Sequence, residues 1–356
     1  MSGRLFLVES DPAGLRAALV EDRRLEAIEI DRAARPTRVG SVTAARVVRT
    51  VHGLGTIVKL ADGTELLLDR GGPAPKAGEE ITVQLAHAPR GDKLGTATRA
   101  IAFTGRGVVH LPHDSGLKFS RRLEIDETRR GMLEPLVAGK PGAWIFRRGA
   151  GHIDEADFAA EIATLAAEGQ GAEIAAPDAF WRLATDWAAE PPERILVAGL
   201  AARRTAERWC RAFAPGLEAR IDPVEAGLFD LYDLDEAILE LAEPRVTLPG
   251  GASLVIEPTE ALTVIDVNAG PAANALSVNL AAAAEIGRQL RLRHIGGIVV
   301  IDFISVTQPR DRERITEALK SAVANDPSQT YILPMSALGL VEMTREHRGP
   351  GLELER

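Results

Sequence analysis

A multidomain α/β protein with a small antiparallel barrel set into its first third is the fold class the sequence predicts. Three observations predict it. Short strands separated by Gly/Asp/Pro turns recur between Val39 and Leu85, a spacing typical of a small barrel. Strand and helix patterns alternate over the last third, as in an α/β layer structure. The 356 residues are long for one domain and suit two or three compact units.

Composition narrows the class. Apolar residues make up 46% and aromatics only 4%, so aliphatic side chains must fill the cores. No run approaches the roughly 20 apolar residues of a membrane helix, and the start reads as a strand without a long apolar secretory core. The single cysteine, Cys210, excludes an intramolecular disulfide and a cysteine-rich zinc site. These features predict a cytoplasmic protein with no membrane partner. The net charge of −9 speaks against nucleic-acid binding, but local distribution outweighs the total. Basic residues gather at Arg90/Lys93/Arg99/Arg106, Lys118/Arg121/Arg122/Arg129/Arg130, Arg147/Arg148 and Arg288/Arg291/Arg293.

In chain order, Arg4 to Val8 and Leu25 to Ile30 read as strands around a turn or helical stretch. Barrel strands follow at Val39 to Val48, Gly55 to Leu60, Thr64 to Leu68 and Glu80 to Leu85, with Pro73 to Gly78 a loop. A mixed segment carries strands at Gly107 to Leu111 and Ala143 to Phe146 and helices at Asp154 to Glu168 and Asp178 to Glu190. Glu193 to Gly199 is a strand, and Ala201 to Phe213 a helix that packs Cys210. Leu234 to Ala242 is helical, and a hairpin turns at Gly250-Gly251. Then come strand Ala261 to Val267, helix Val278 to Arg293, strand Gly297 to Phe303, helix Asp311 to Ala324, a strand near Tyr331 to Pro334 and a helix at Leu340 to Glu346.

Two of these strands end alike. Leu262-Thr-Val-Ile-Asp266-Val-Asn268 and Gly297-Ile-Val-Val-Ile-Asp302 each run apolar residues into an aspartate. The helix between them has crossover length, so a strand–helix–strand unit would bring both aspartates to one sheet edge. Neighbouring carboxylates repel, and a hard cation removes the conflict. One or two carboxylates plus waters suit magnesium, which can supply a nucleophilic water and stabilise phosphoryl oxygens. Asn268, two residues beyond Asp266, would share its face if the strand continues, and would orient the scissile phosphate or a metal-bound water by hydrogen bonding. Against this stands the ordinary use of a strand-end aspartate as a cap or turn former.

Longer stretches carry a resemblance. Thr259 to Asn268, Asn279-Leu280, Glu285 to Phe303 and Met335 to Arg345 closely resemble segments of the ribonuclease E/G family. Leu15 to Ile30, Arg90 to Gly95, Ser120 to Glu124 and Leu248 to Ile256 do so more weakly. The resemblance implies a ribonuclease H-like subdomain split between residues 1–36 and 191–243, an S1-like OB barrel at 37–97, a 5′-sensor subdomain at 98–190 and a deoxyribonuclease I-like catalytic subdomain at 244–356. It implies a magnesium-dependent endoribonuclease acting on single-stranded RNA in processing or decay. Asp266 and Asp302 would bind the metal with Asn268 assisting. Lys93, Arg121 and Arg122 would line the RNA path, and Arg147 would contact a 5′-phosphate beside Arg148, where the family usually has threonine.

The chain also departs from the family. Gly55-Thr-Ile-Val-Lys-Leu60 lacks the barrel aromatics that stack bases, and stacking is worth about 1–3 kcal/mol per base. The loop after Asn268 is short. Ala281, Ala284 and Ser305 stand where acidic residues are common, and Ala337 where an arginine is usual. The family's Cys-Pro-x-Cys zinc link is not found, so no zinc is expected and any homodimer would form without it. Two rivals stay open: an RNA-binding protein of the same fold with weak or lost turnover, and a DNA nuclease.

Overall fold

The computed structural model describes residues 3–34, 38–53, 55–69, 71, 73–89, 93–168, 173–271, 274–348 and 352. The chain forms two units, residues 1–24 with 28–229, and residues 25–27 with 230–356.

The first unit opens with β1 (Arg4–Asp11), β2 (Gly14–Glu21) and β3 (Arg24–Arg32). The middle stretch is therefore a strand, where a turn or helix was expected. Asp22 and Arg23 both adopt positive φ, 47° and 67°, the double left-handed turn that joins twisted hairpin strands. Asp11 closes the other turn, accepting the Ala13 and Gly14 N–H groups. Local turn chemistry at both ends overrides the helix-forming Leu-Arg-Ala-Ala-Leu sequence.

Next comes a closed barrel of β4 (Val42–Val51), β5 (Gly55–Leu60), β6 (Glu65–Leu68), β7 (Glu80–His87) and β8 (Gly95–Thr98), in the order β4-β5-β6-β8-β7. Val47, Val58, Leu60, Leu66, Leu68, Val83 and Leu85 are among the aliphatic residues that fill it.

A second sheet combines β9 (Phe103–Thr104), β10 (Val108–Leu111), β11 (Gly116–Phe119) and β12 (Ala143–Phe146), with α1 (Glu127–Val137) between the last two. Helices α2 (Glu155–Glu168) and α3 (Ala179–Trp187) follow. Then β13 (Arg194–Ala198), α4 (Leu200–Phe213), β14 (Ile221–Val224) and α5 (Leu228–Leu231) return to the first sheet. β13 pairs in parallel with β1, giving the order β14-β13-β1-β2-β3. One sheet is thus built from strands either side of the barrel. Its core is aromatic: Phe6, Phe180 and Trp209 meet edge to face.

The second unit holds α6 (Leu234–Glu240), β15 (Arg245–Thr247), β16 (Ser253–Pro258), β17 (Thr263–Asn268), α7 (Ala275–Leu292), β18 (Gly297–Asp302), α8 (Pro309–Val323), β19 (Thr330–Ile332) and β20 (Leu340–Arg345). The sheet order is β15-β16-β17-β18-β20-β19. Ile265, Val299 and Ile301 pack with Ile286 and Leu290 of α7 and Ile315 and Leu319 of α8. At Gly287 a Cβ would lie 2.8 Å from the Ala322 side chain, so the missing side chain lets the two helices approach. Burying helices on one face leaves the other outward, and the strands alternate accordingly. The predicted helix at Leu340 to Glu346 is the strand β20. Val341, Met343 and Arg345 point inward while Glu342 and Thr344 are exposed, a period of two that no helix satisfies.

Candidate nuclease site

The crossover from β17 through α7 to β18 is parallel, with Asp266 directly beside Asp302 in register. Adjacent strands lie about 4.8 Å apart, so the two aspartates are lateral neighbours. Both are exposed on the face away from α7 and α8. Asn268 shares that face, and its Nδ2 donates to Asp266 Oδ2 at 2.8 Å. Among the described residues neither aspartate forms an ion pair, and the Asp302 side chain has no hydrogen-bond partner. The ordinary roles of cap and turn former are therefore unfilled.

The surrounding loops are pinned. Gly270 packs against the turn at Gly250 and Gly251, where a Cβ would meet the Gly250 carbonyl at 2.3 Å. Asn274 caps α7 by accepting the Ser277 N–H at 3.2 Å. Ala272 and Ala273 of the short loop lie outside the described residues. Asn279, fully buried on α7, donates to the Ile304 carbonyl at 2.8 Å and accepts the Ile304 N–H at 3.1 Å. It thereby fixes the backbone two residues beyond Asp302. Sequence reading met Asn279 only within the resemblance, because a buried asparagine in a helix leaves no periodic signature.

The donor set fits a hard divalent cation. Two carboxylates, side by side, exposed and, among the described residues, without a cationic partner, suit magnesium, which retains several waters. Among the described residues no group of three or more His, Cys, Asp or Glu side chains could hold a metal.

The other expected residues lie in the first unit. Lys93 is exposed just before β8; Arg90 lies outside the described residues. β11 and β12 run parallel and end in register at Phe119 and Phe146. Ser120-Arg121-Arg122 and Arg147-Arg148 therefore leave the same sheet edge. Arg121 and Arg122 are exposed. Arg147 is half-buried, donating to the Gly105 carbonyl and lying 3.2 Å from Asp186 Oδ1. Arg148 begins a short 3₁₀ turn.

Several members of the basic clusters are engaged within the fold. Arg106 is buried, with Nη2 2.8 Å from Asp157 Oδ2 and Nε 3.5 Å from Glu161 Oε2. Arg129 donates to the carbonyls of Ala150 and Ile153, and Arg288 pairs with Glu285. Glu161 Oε1 in turn accepts the N–H groups of Gly107 and Val108. Burial pushes the Glu161 carboxyl up to about 7, while Arg106 and these N–H groups pull it down.

Fold and site together describe a nuclease-like protein, and its class is set by comparison. Residues 102–348 match the model of the Ribonuclease E/G family, and the chain belongs to that family. Ribonuclease G of Escherichia coli is 28% identical over 395 residues, covering 98% of this chain and 81% of that protein. Ribonuclease G of Haemophilus influenzae is 27% identical, covering 98% of this chain and 80% of its own length. Ribonuclease E of a Nostoc species is 31% identical over 301 residues, 77% of this chain and 44% of that longer protein.

Proposed function

We propose that the chain is a magnesium-dependent endoribonuclease that cuts single-stranded RNA in processing or decay. The observation that carries this is the register of Asp266 beside Asp302 on an open sheet face, in a family of ribonucleases. Asp266 and Asp302 would hold the ion. When bound, magnesium supplies an activated water and stabilises charge on the phosphoryl oxygens. Asn268, held by Asp266, would hydrogen-bond the scissile phosphate and set its orientation. Asn279 keeps the backbone beyond Asp302 in place, so the carboxylate pair is preorganised.

The subdomain reading follows the same line. Residues 1–36 with 191–243 would form the ribonuclease H-like part, supported by the sheet shared between β1 and β13. The barrel at 37–97 would be the S1-like RNA clamp. Residues 98–190 would serve as the 5′-sensor, with Arg121, Arg122, Arg147 and Arg148 at one sheet edge, and 244–356 as the deoxyribonuclease I-like part. Lys93 would touch the RNA backbone from the barrel. With no Phe, Tyr or Trp in the barrel, phosphate contacts would dominate affinity. A cytoplasmic location completes the proposal.

The test is incubation of the purified protein with labelled single-stranded RNA, with magnesium or a chelator. Cleavage only with magnesium, abolished in Asp266→Ala and Asp302→Ala while RNA binding persists, is expected. Cleavage by either variant near the wild-type rate contradicts the site. Binding without cleavage by the wild type leaves the RNA-binding reading in its place.

A further inference from the structure

A pair of carboxylates presents an anionic surface to an anionic substrate, and a fixed cation beside the metal would offset that repulsion. The arginines of the second unit are mostly spent on the fold. Arg345 clamps buried Asp326, Arg288 pairs with Glu285 and Arg293 donates to Gln289 Oε1 at 2.7 Å. Arg245 differs. It is exposed, and the one hydrogen-bond partner of its side chain among the described residues is a neutral hydroxyl, Ser253 Oγ, 2.7 Å from Nη1.

Its place in the sheet matters. Arg245 pairs with Val255, Val255 with Asp266, and Asp266 with Asp302. Directly paired residues project to the same side, and Val246 of β15 and Leu254 and Ile256 of β16 pack toward the helices. Arg245 therefore stands on the open face in the same cross-sheet row as the carboxylates. Its backbone is about 10 Å from that of Asp266 at the usual strand spacing. Ser253 turns the guanidinium into the next row, where Ser253 pairs with Asn268. Although on the open face, Ser253 is only 8% exposed. Arg245 thus donates to Ser253, and Asn268, the strand partner of Ser253, donates to Asp266.

We propose that Arg245 is the phosphate-binding cation of this site. Anchored on Ser253 by one N–H, it binds a non-bridging oxygen of the phosphodiester brought to Asp266 and Asp302 through its remaining donors. A guanidinium carries five N–H donors, and its planar fork suits a phosphate in a way that an ammonium does not. The role rests on the reading of Asp266 and Asp302 as the cleavage site. Ser253 is a positioning residue in this scheme.

The experiment compares Arg245→Ala, Arg245→Lys and Ser253→Ala with wild type, and runs Asp302→Ala in parallel. Two quantities are read: the salt dependence of RNA binding with chelator present, and the single-turnover cleavage rate in magnesium. Near-ultraviolet circular dichroism checks the fold of each variant. Arg245→Ala should flatten the log–log salt slope by about 0.7, the value for one single-strand phosphate contact. It should also slow cleavage by roughly 10²-fold, as loss of one charge-stabilising donor does. Arg245→Lys should restore the slope but only part of the rate. Ser253→Ala should keep the slope and lose a few-fold in rate. An unchanged rate in Arg245→Ala, with or without a change in slope, overturns the proposal, provided Asp302→Ala is inactive. If Asp302→Ala still cuts, the underlying site is wrong whatever Arg245 does. Should Arg245→Ala misfold, the lysine variant decides: a full wild-type rate contradicts a role for the planar fork.

Discussion

Asp266 and Asp302 on one side, and Arg147 and Arg148 on the other, arise in the sequence alike, as charged residues at the ends of apolar strands. The structure treats them differently. The aspartates stand exposed on an open sheet face, where Asn268 donates a hydrogen bond to Asp266. Arg147 is tied to the Gly105 carbonyl and to Asp186, and the turn it reaches is held by the buried Arg106–Asp157–Glu161 group. The difference is between a cation that already has partners within the fold, Arg147, and two exposed carboxylates that form no ion pair among the described residues.

That comparison gives its largest effect at Arg106. Removing one partner from a buried ion pair leaves the other uncompensated and costs about 3–5 kcal/mol. Arg106→Ala should destabilise the protein by about that much, measured by chemical denaturation. A loss below about 1 kcal/mol, the range of an exposed pair, would place Arg106 with the ligand-facing charges instead.

A smaller effect is expected at Glu161, and its sign is fixed by burial. Desolvation raises this carboxyl from 4.5 to about 7. A raised folded-state value means its stabilising contribution is full below about pH 4.5 and is lost as pH climbs through about 7. Glu161→Gln keeps an oxygen for the Gly107 and Val108 N–H groups but does not titrate. The variant should therefore gain on wild type as pH rises from 4.5 to 7. Denaturation midpoints that keep a constant difference across this window would show that Glu161 stays in one charge state, with Arg106 dominating burial.

Much of the second unit's sheet was legible in the sequence, because strands and crossover helix there follow simple periods. The register of Asp266 beside Asp302 follows from two like strands and one connecting helix. Leu340 to Arg345 was misread as a helix because the segment is short, and its alternation shows only when Val341 and Met343 are set against polar Glu342 and Thr344. Leu15 to Val20 was obscured by helix-forming residues that two tight turns overrule. Ion pairing was not legible at all: Arg106 read as part of a basic cluster, since its partners Asp157 and Glu161 are some fifty residues away. Arg245 and Ser253, eight residues apart, drew no notice because a hairpin, not a motif, brings them together.

The central claim is that Asp266 and Asp302 jointly hold a divalent cation. It is tested most directly without RNA, by titrating the protein with manganese as a spectroscopic probe and competing it with magnesium. Asp266→Asn and Asp302→Asn keep the shape of each side chain and remove its charge. The account predicts one manganese site per chain, displaced by magnesium and weakened at least tenfold in each single variant. Equal affinity in wild type and both variants would contradict it.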